Sequence, residues 1–338
     1  MKVAGIEVGD RPLILAPMED VTNPPFRKFC KKYGADWLYS EFVSADALVR
    51  SVNKSLKKLT IDETERPVTI QIYGRFIDSM VEAAKIVEEV RPDFIDINFG
   101  CPVKRVAQKG AGAGMLKDIP LMVEMTRQIV QAVKIPVTAK TRLGWDCEHI
   151  IIEDIAERLQ DVGIQALAIH GRTRSQMYSG EADWEPIARV KQNPRIKIPI
   201  IGNGDIDSPQ KVKEAFERYG VDGVMIGRAT IGKPWIFEQI KHYLTTGEML
   251  PELSVPAQIE IIKEQILLSM EWLDEVRGLF HMRRHMACMF KGLPHFRDLR
   301  IQMLQAPTIE ELWGVFDQIA ERYGSMDPED LVEEDLNS

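Results

Sequence analysis

Eight short apolar runs, each followed by a stretch of helical or turn character, constrain this chain more than any other feature. The runs are Leu13–Ala16, Trp37–Ser40, Val68–Ile72, Phe94–Asn98, Val137–Lys140, Ala166–His170, Pro199–Gly202 and Gly223–Ile226. Between them, stretches such as Ser79–Val90, Pro120–Val133, Ile151–Val162 and Pro209–Tyr219 place apolar residues at helical intervals. Strands alternating with helices build parallel βαβ units, and eight in succession predict an α/β fold closed as a (β/α)8 TIM barrel. An open doubly wound sheet would need a helix-opening GxGxxG turn after the first strand. Ala16-Pro17-Met18-Glu19 is not such a turn.

The spacing changes after Gly227. Glu238–Glu248 reads as a last barrel helix and Pro251–Pro256 as a linker. Beyond Ala257 only helical patterns remain, over Gln258–Val276, Gly278–Lys291, Arg297–Leu304 and Ile309–Arg322. A chain of 338 residues suits a barrel of about 250 residues with a small appendage. The expected parts are a barrel over 1–250, an all-α helical bundle over 251–325 and an acidic tail over 326–338.

Net charge is −8, which argues against nucleic acid only if charge is spread evenly. It is not. Val276–Ile301 carries five arginines, one lysine, three histidines and a single acid, Asp298, whereas Met326–Ser338 carries six acids and no base. The four cysteines, Cys30, Cys101, Cys147 and Cys288, form no CxxC pair, so neither a metal site nor a disulfide framework is expected, and a reducing, cytoplasmic setting is. The first residues lack the apolar core of a secretion signal. No apolar run approaches the ~20 residues of a membrane span.

Reactive groups of a TIM barrel sit at the C-terminal strand ends. Read in order, those ends are Pro17-Met18, Ser40-Glu41, Gln71, Asn98 with Cys101, Lys140 with Arg142, His170 with Arg172, Asn203-Gly204-Asp205, and Gly227-Arg228. The last two loops follow strands seven and eight, the usual phosphate site of this architecture. Their glycines suit close approach of backbone amides to phosphate; tight turns requiring positive φ would select them equally. Lys140 ends its strand either as a rim lysine facing solvent or as a cation paired with an anionic ring, such as the N1–C2=O edge of a reduced flavin. Gln71 interrupts an apolar strand as a satisfied core amide or as a partner for a flavin's pyrimidine edge. Cys101 lies between Gly100 and Pro102, close to Lys104 and Arg105, where thiol reactivity or proton donation both fit. The glycine- and lysine-rich stretch Lys104–Gly114 reads as a mobile flap over it.

Taken together, Ala16-Pro17-Met18, Asn98-Phe99-Gly100-Cys101-Pro102, Lys140-Thr141-Arg142, His170-Gly171-Arg172-Thr173, Asn203-Gly204-Asp205-Ile206 and Ile226-Gly227-Arg228 resemble the tRNA-dihydrouridine synthases, the bacterial B-type branch above all. The resemblance spans roughly residues 5–300. It implies an FMN-bearing barrel, a helical tRNA-binding domain and NADPH (or NADH) as electron donor. Hydride from reduced flavin would reach C6 of a uridine in tRNA, and Cys101 would protonate C5. It further implies that Pro17, Met18, Glu19, Gln71, Lys140, His170, Asn203, Gly204, Asp205, Gly227 and Arg228 hold the cofactor. Asn98, Lys104, Arg142 and Arg172 would face the substrate, and Arg283, Arg284 and Lys291 would meet tRNA phosphates. The family often reads Ala-Pro-Met-Ala-Gly where this chain has Ala16-Pro17-Met18-Glu19-Asp20. An FMN barrel dehydrogenase acting on a free pyrimidine would share the loops but not need the basic helical segment. A non-enzymatic tRNA-binding protein would need no cofactor. No membrane association is expected, and no protein partner is evident.

Overall fold

The computed structural model describes residues 1–326, which form two compact units, Met1–Arg228 and Ala229 onward. The acidic tail lies almost wholly outside the described residues.

In the first unit eight parallel strands close into a barrel. They are β1 (Leu13–Leu15), β2 (Trp37–Ser44), β3 (Val68–Tyr73), β4 (Phe94–Asn98), β5 (Val137–Arg142), β6 (Leu167–His170), β7 (Ile200–Asn203) and β8 (Gly223–Ile226). Each pairs with its sequence neighbours, and β8 pairs with β1, Met225 opposite Ile14, to close the ring. All eight runs expected as strands are strands. Helices over Ile77–Glu89, Ile119–Ala132, Ile152–Asp161 and Pro209–Glu217 fall on the expected amphipathic stretches. Asp118 and Ser208 cap two of them by accepting the Leu121 and Lys211 amides.

Strands covered on both faces must be apolar throughout, and the barrel interior is a packed core. Trp37, Tyr39 and Phe94 pack there with Ile14, Ala166, Ala168, Ile201 and Met225. A short hairpin, Lys2–Val3 with Ile6–Glu7, adds Val3 to the same cluster. Packing also dictates Gly202 on β7. A Cβ there would lie 2.1 Å from Trp184 Cζ3.

One irregularity shapes the C-terminal end. Between Tyr39 and Phe42 the β2–β3 register slips, a bulge of the kind that re-aims side chains. At the bulge Ser40 Oγ accepts the Gln71 amide at 3.2 Å and donates to the Glu41 carbonyl at 2.8 Å.

The second unit holds helices over Ile236–Thr246, Val255–Leu273, Glu275–Met286, Arg297–Gln305 and Ile309–Tyr323. The first of these, expected as the last barrel helix, belongs to this unit, so the compact barrel unit ends at Arg228 rather than at residue 250. Ile262, Ile266, Met282, Met303, Leu312 and Phe316 are buried there. Gly278 lets two helices approach closely, since a Cβ would meet Met270 Cα at 2.4 Å. No helix among the described residues is long and apolar enough to cross a membrane.

Gly202→Ala should destabilise the barrel by ~1–3 kcal/mol through overpacking against Trp184. The expected result is a lower urea midpoint with an unchanged slope; an unaltered midpoint would mean that the Trp184 ring moves aside freely.

Candidate functional site

The C-terminal strand ends carry a buried polar chain that begins at Asp96, on β4 and fully inaccessible. Its Oδ1 accepts the Thr138 hydroxyl at 2.6 Å and its Oδ2 accepts Gln71 Nε2 at 2.7 Å. Gln71 Oε1 accepts Asn98 Nδ2 at 2.7 Å. Asn98 Oδ1 then accepts the backbone amides of Gly100 at 3.0 Å and Cys101 at 2.8 Å. Three adjacent strands thus hold the turn that carries the thiol. Burial pushes the Asp96 carboxyl up to about 7, in spite of its Thr138 and Gln71 donors. Gln71 and Asn98, expected against flavin and uridine, have their amide oxygens engaged within this chain.

Cys101 is 7% exposed and packs with Val106, Ala111, Phe42 and Tyr73. Burial raises its thiol above the ordinary range, only partly offset by the Val103 amide and Arg142. The group is therefore S–H rather than thiolate at neutral pH, which suits an acid better than a nucleophile. The expected flap is folded instead. Lys104–Ala107 is one helical turn and Gly112–Lys117 a 3-10 turn, with Ala113 N donating to the Cys101 carbonyl at 3.1 Å. Val106, Ala107, Met115 and Leu116 are buried, because small and apolar residues alternate with the glycines and let the segment pack down. Lys104 and Arg105 remain exposed on its outside.

Two arginines expected near substrate are internal ties. Arg142, 2% exposed, donates from Nε to the Gly100 carbonyl at 2.8 Å and from Nη1 to the Thr173 and Met177 carbonyls at 2.9 and 2.8 Å. Arg172 grips Asp205 bidentately, both contacts at 2.7 Å, and also donates to the Ser179 and Gly180 carbonyls. Asp205 accepts the Ala182 amide at 2.8 Å and Arg228 Nη2 at 2.9 Å as well. Burial acts to raise the Asp205 carboxyl, but Arg172, the Ala182 amide and Arg228 outweigh it and hold it below the usual range. Its oxygens are occupied, so Asp205 orients Arg172 and Arg228.

Around these ties the mouth is electropositive. The side chain of Lys140 is half-buried, and its ammonium makes no hydrogen bond or ion pair among the described residues. Burial and Arg142 push its ammonium down to about 8. His170 is driven well below its ordinary value by burial and then by Lys140, Arg142, Arg172 and Arg228, so its imidazole is neutral. Asn203 Nδ2 donates to the Met225 carbonyl at 2.8 Å. Gly204 has φ +130°, and a Cβ there would strike Ala182 at 2.6 Å, so protein geometry alone accounts for this glycine. Gly227 differs. A Cβ would meet Ala16 Cβ at 3.5 Å and Met18 Sδ at 3.7 Å, ordinary contacts that do not by themselves require a glycine.

Glu19, expected against the cofactor, has one carboxylate oxygen engaged by a lysine of this chain. Lys58 Nζ lies 2.7 Å from Glu19 Oε1 and 3.2 Å from Glu41 Oε1. Asp20 N donates to Glu41 Oε1 at 2.9 Å. The Glu19-Asp20 pair thus forms an acidic patch seated on a lysine, and the β2 bulge supplies its third carboxylate. Sequence reading missed Asp96, Thr138 and Lys58, and placed Glu41 only as one polar strand end among the others. A carboxylate inside the apolar run Phe94–Ile97 was the one available signal for Asp96.

In the helical unit Arg284 and Lys291 are exposed. Arg283 is half-buried, lies over the Phe280 ring at 4.2 Å and donates to the Ala306 carbonyl at 3.3 Å.

Comparison with known proteins gives consistent matches. Residues 14–321 match the family described as Dihydrouridine synthase (Dus). The tRNA-dihydrouridine synthase B of Pseudomonas aeruginosa is 42% identical over 290 residues, covering 86% of this chain and 87% of that one. A probable tRNA-dihydrouridine synthase of Rickettsia bellii is 38% identical over 329 residues, covering 96% and 98%. Among solved structures, a 2-naphthoyl-CoA reductase superposes with TM-score 0.58 at 13% identity, covering 72% of this chain and 51% of its own. Morphinone reductase superposes with TM-score 0.50 at 12% identity, covering 73% and 89%. At such identities the likeness concerns the barrel fold.

Asp96→Asn should remove a pH term from stability. The unfolded carboxyl titrates near 3.8 and the folded one at about 7, so the folded state holds the extra proton between these values. Stability should fall as pH rises through that window, by at most ~1.4 kcal/mol per pH unit. Urea midpoints at several pH values should show this slope in the wild type and a flatter one in the variant. Parallel profiles would show that Asp96 titrates normally.

Proposed function

Since the chain belongs to the dihydrouridine synthase family, we propose that it reduces the C5–C6 bond of uridines in tRNA to dihydrouridine, using FMN reduced by NADPH or NADH. The observation that carries the reading is a protonated, nearly buried thiol held at the end of β4 beside an electropositive barrel mouth.

The residues present fit a flavin. Lys140 is a half-buried cation without a partner among the described residues, and an anionic ring edge would offset its desolvation. Gly227 follows β8 directly, on the loop where this architecture binds phosphate. Arg228, 57% exposed and oriented by Asp205, adds charge there. Pro17 and Met18 follow β1, next to β8 in the ring, and are assigned to the ring's apolar surface. A reduced flavin supplies the hydride.

The chain's own residues supply the proton and its position. The Asp96–Gln71–Asn98 chain fixes the backbone that leads into Cys101, so the thiol is placed before substrate arrives. Its raised pKa keeps the proton on sulfur for delivery to C5. Arg142 ties the Cys101 turn to the loop after β6 and acts as a positioning residue. A uridine in folded tRNA must be extruded to reach the mouth, at a cost of a few kcal/mol, and contacts to the rest of the RNA must offset it. Arg284 and Lys291 of the helical unit are assigned to phosphate contacts.

Cys101→Ala should leave the fold and the flavin's visible spectrum intact and lose most dihydrouridine formation, measured by mass spectrometry of treated tRNA. Wild-type activity should hold through neutral pH and fall only on the alkaline side, as the raised thiol pKa requires. Full activity in the variant would remove the thiol from the mechanism. Arg284→Ala with Lys291→Ala should weaken tRNA binding and lower its salt slope by about 1 for each phosphate left without its cation; an unchanged slope places the RNA elsewhere.

A further inference from the structure

Within the barrel unit a cavity of about 620 Å³ opens among the loops that follow β3, β4, β5 and β6. That volume lies within the ~300–1,000 Å³ range of ligand pockets. Arg75 comes from the first loop, Lys117 from the second, Trp145 from the third and Arg174 from the fourth. Both Lys117 and Arg174 rest on the Trp145 ring, at 3.9 and 4.7 Å from its centroid. The indole holds two like charges close together, which cation–π attraction permits and water alone would not favour. Arg174 Nε is buried and has no hydrogen-bond partner among the described residues, an arrangement that calls for an acceptor. Backbone bonds fix the two loops against each other: Arg174 N to the Gly144 carbonyl and Ser175 N to the Trp145 carbonyl, both 2.9 Å. Asp118 also lines the cavity, but its Oδ1 accepts the Leu121 amide as a helix cap.

We propose that this cavity is a phosphate subsite for the tRNA backbone beside the extruded uridine, a proposal that rests on the tRNA reading above. Position in the ring favours this occupant. The glycine loops assigned to the flavin phosphate follow β7 and β8, whereas the cavity is built on β3 to β6. Its wall is the segment Ala107–Met115, which packs over Cys101. A base presented to the thiol therefore carries its flanking phosphates past that segment. Arg75 reaches the same wall, lying so close to Gly110 that a Cβ there would meet its Nε at 3.2 Å. Occupying the cavity with an anion would tie the cover of Cys101 to the presence of RNA. The glycines of its wall, Gly110, Gly112 and Gly114, lack the GxGxxG spacing of a dinucleotide turn, which separates the cavity from a site for the electron donor.

The test uses flavin-loaded, full-length protein and an unmodified tRNA transcript. Lys117→Ala with Arg174→Ala should raise Kd and KM for the transcript roughly tenfold and lower the salt slope by about 1 per cation removed. The rate at which NADPH bleaches the flavin without RNA should not change. Lys117→Glu, an exposed substitution that leaves the loops intact, should show the same direction. Unchanged transcript binding in both variants overturns the proposal. So does a rise confined to the KM for NADPH, which would assign the cavity to the donor. A wild-type protein that neither binds nor reduces the transcript removes the tRNA reading itself, and the subsite with it.

Discussion

A carboxyl group buried among strands governs the active end of this barrel. Asp96 has no access to water, so its oxygens must find donors inside the protein. Thr138 and Gln71 provide them, and Gln71 is thereby turned so that its own oxygen receives Asn98. Asn98 in turn satisfies its oxygen with the amides of the Gly100-Cys101 turn. The position of the thiol is thus a consequence of a buried acid three hydrogen bonds away. A partly satisfied network would cost more than an apolar core, so the four groups stand or fall together.

The same reasoning separates the cations of the mouth by role. Arg142 and Arg172 present forked donors and are inaccessible, and each gathers several carbonyls or a carboxylate from neighbouring loops. A planar guanidinium suits that task and an ammonium does not. Lys140 stands among them without a partner in the described residues. Burial, and after it the field of these cations, keeps His170 neutral, leaving one imidazole nitrogen as a donor and the other as an acceptor. Clamps and binding groups therefore differ by what surrounds them, although the residue types look alike along the chain.

Much of the fold was legible because local signals agreed. Each apolar run had the length of a strand, each following stretch had helical spacing or turn chemistry, and eight in succession left few alternatives to a closed barrel. Cys101 was legible as a candidate because a turn with Gly100 and Pro102 ends an apolar run. The segment after it was misread. Lys104–Gly114 shows glycines and charges, which read as a loose flap, yet Val106, Ala107 and Ala111 give it an apolar underside that packs beside Cys101. Its order comes from contacts distant in sequence. The partner of Glu19 was hidden for a similar reason: nothing near it in sequence reveals Lys58, which the fold brings to 2.7 Å.

By itself the sequence determined the barrel, the helical unit, the ring of polar strand ends and the family, since hydrophobic period and motif order are properties of the chain taken in sequence. Only the tertiary structure decided which polar groups face inward to one another and which are left to meet a ligand. Hydrogen-bond partners are assigned by proximity across strands, as Asp96, Asp205 and Lys58 show, and burial then sets the proton on Asp96 and Cys101. Neither quantity exists until the strands are side by side.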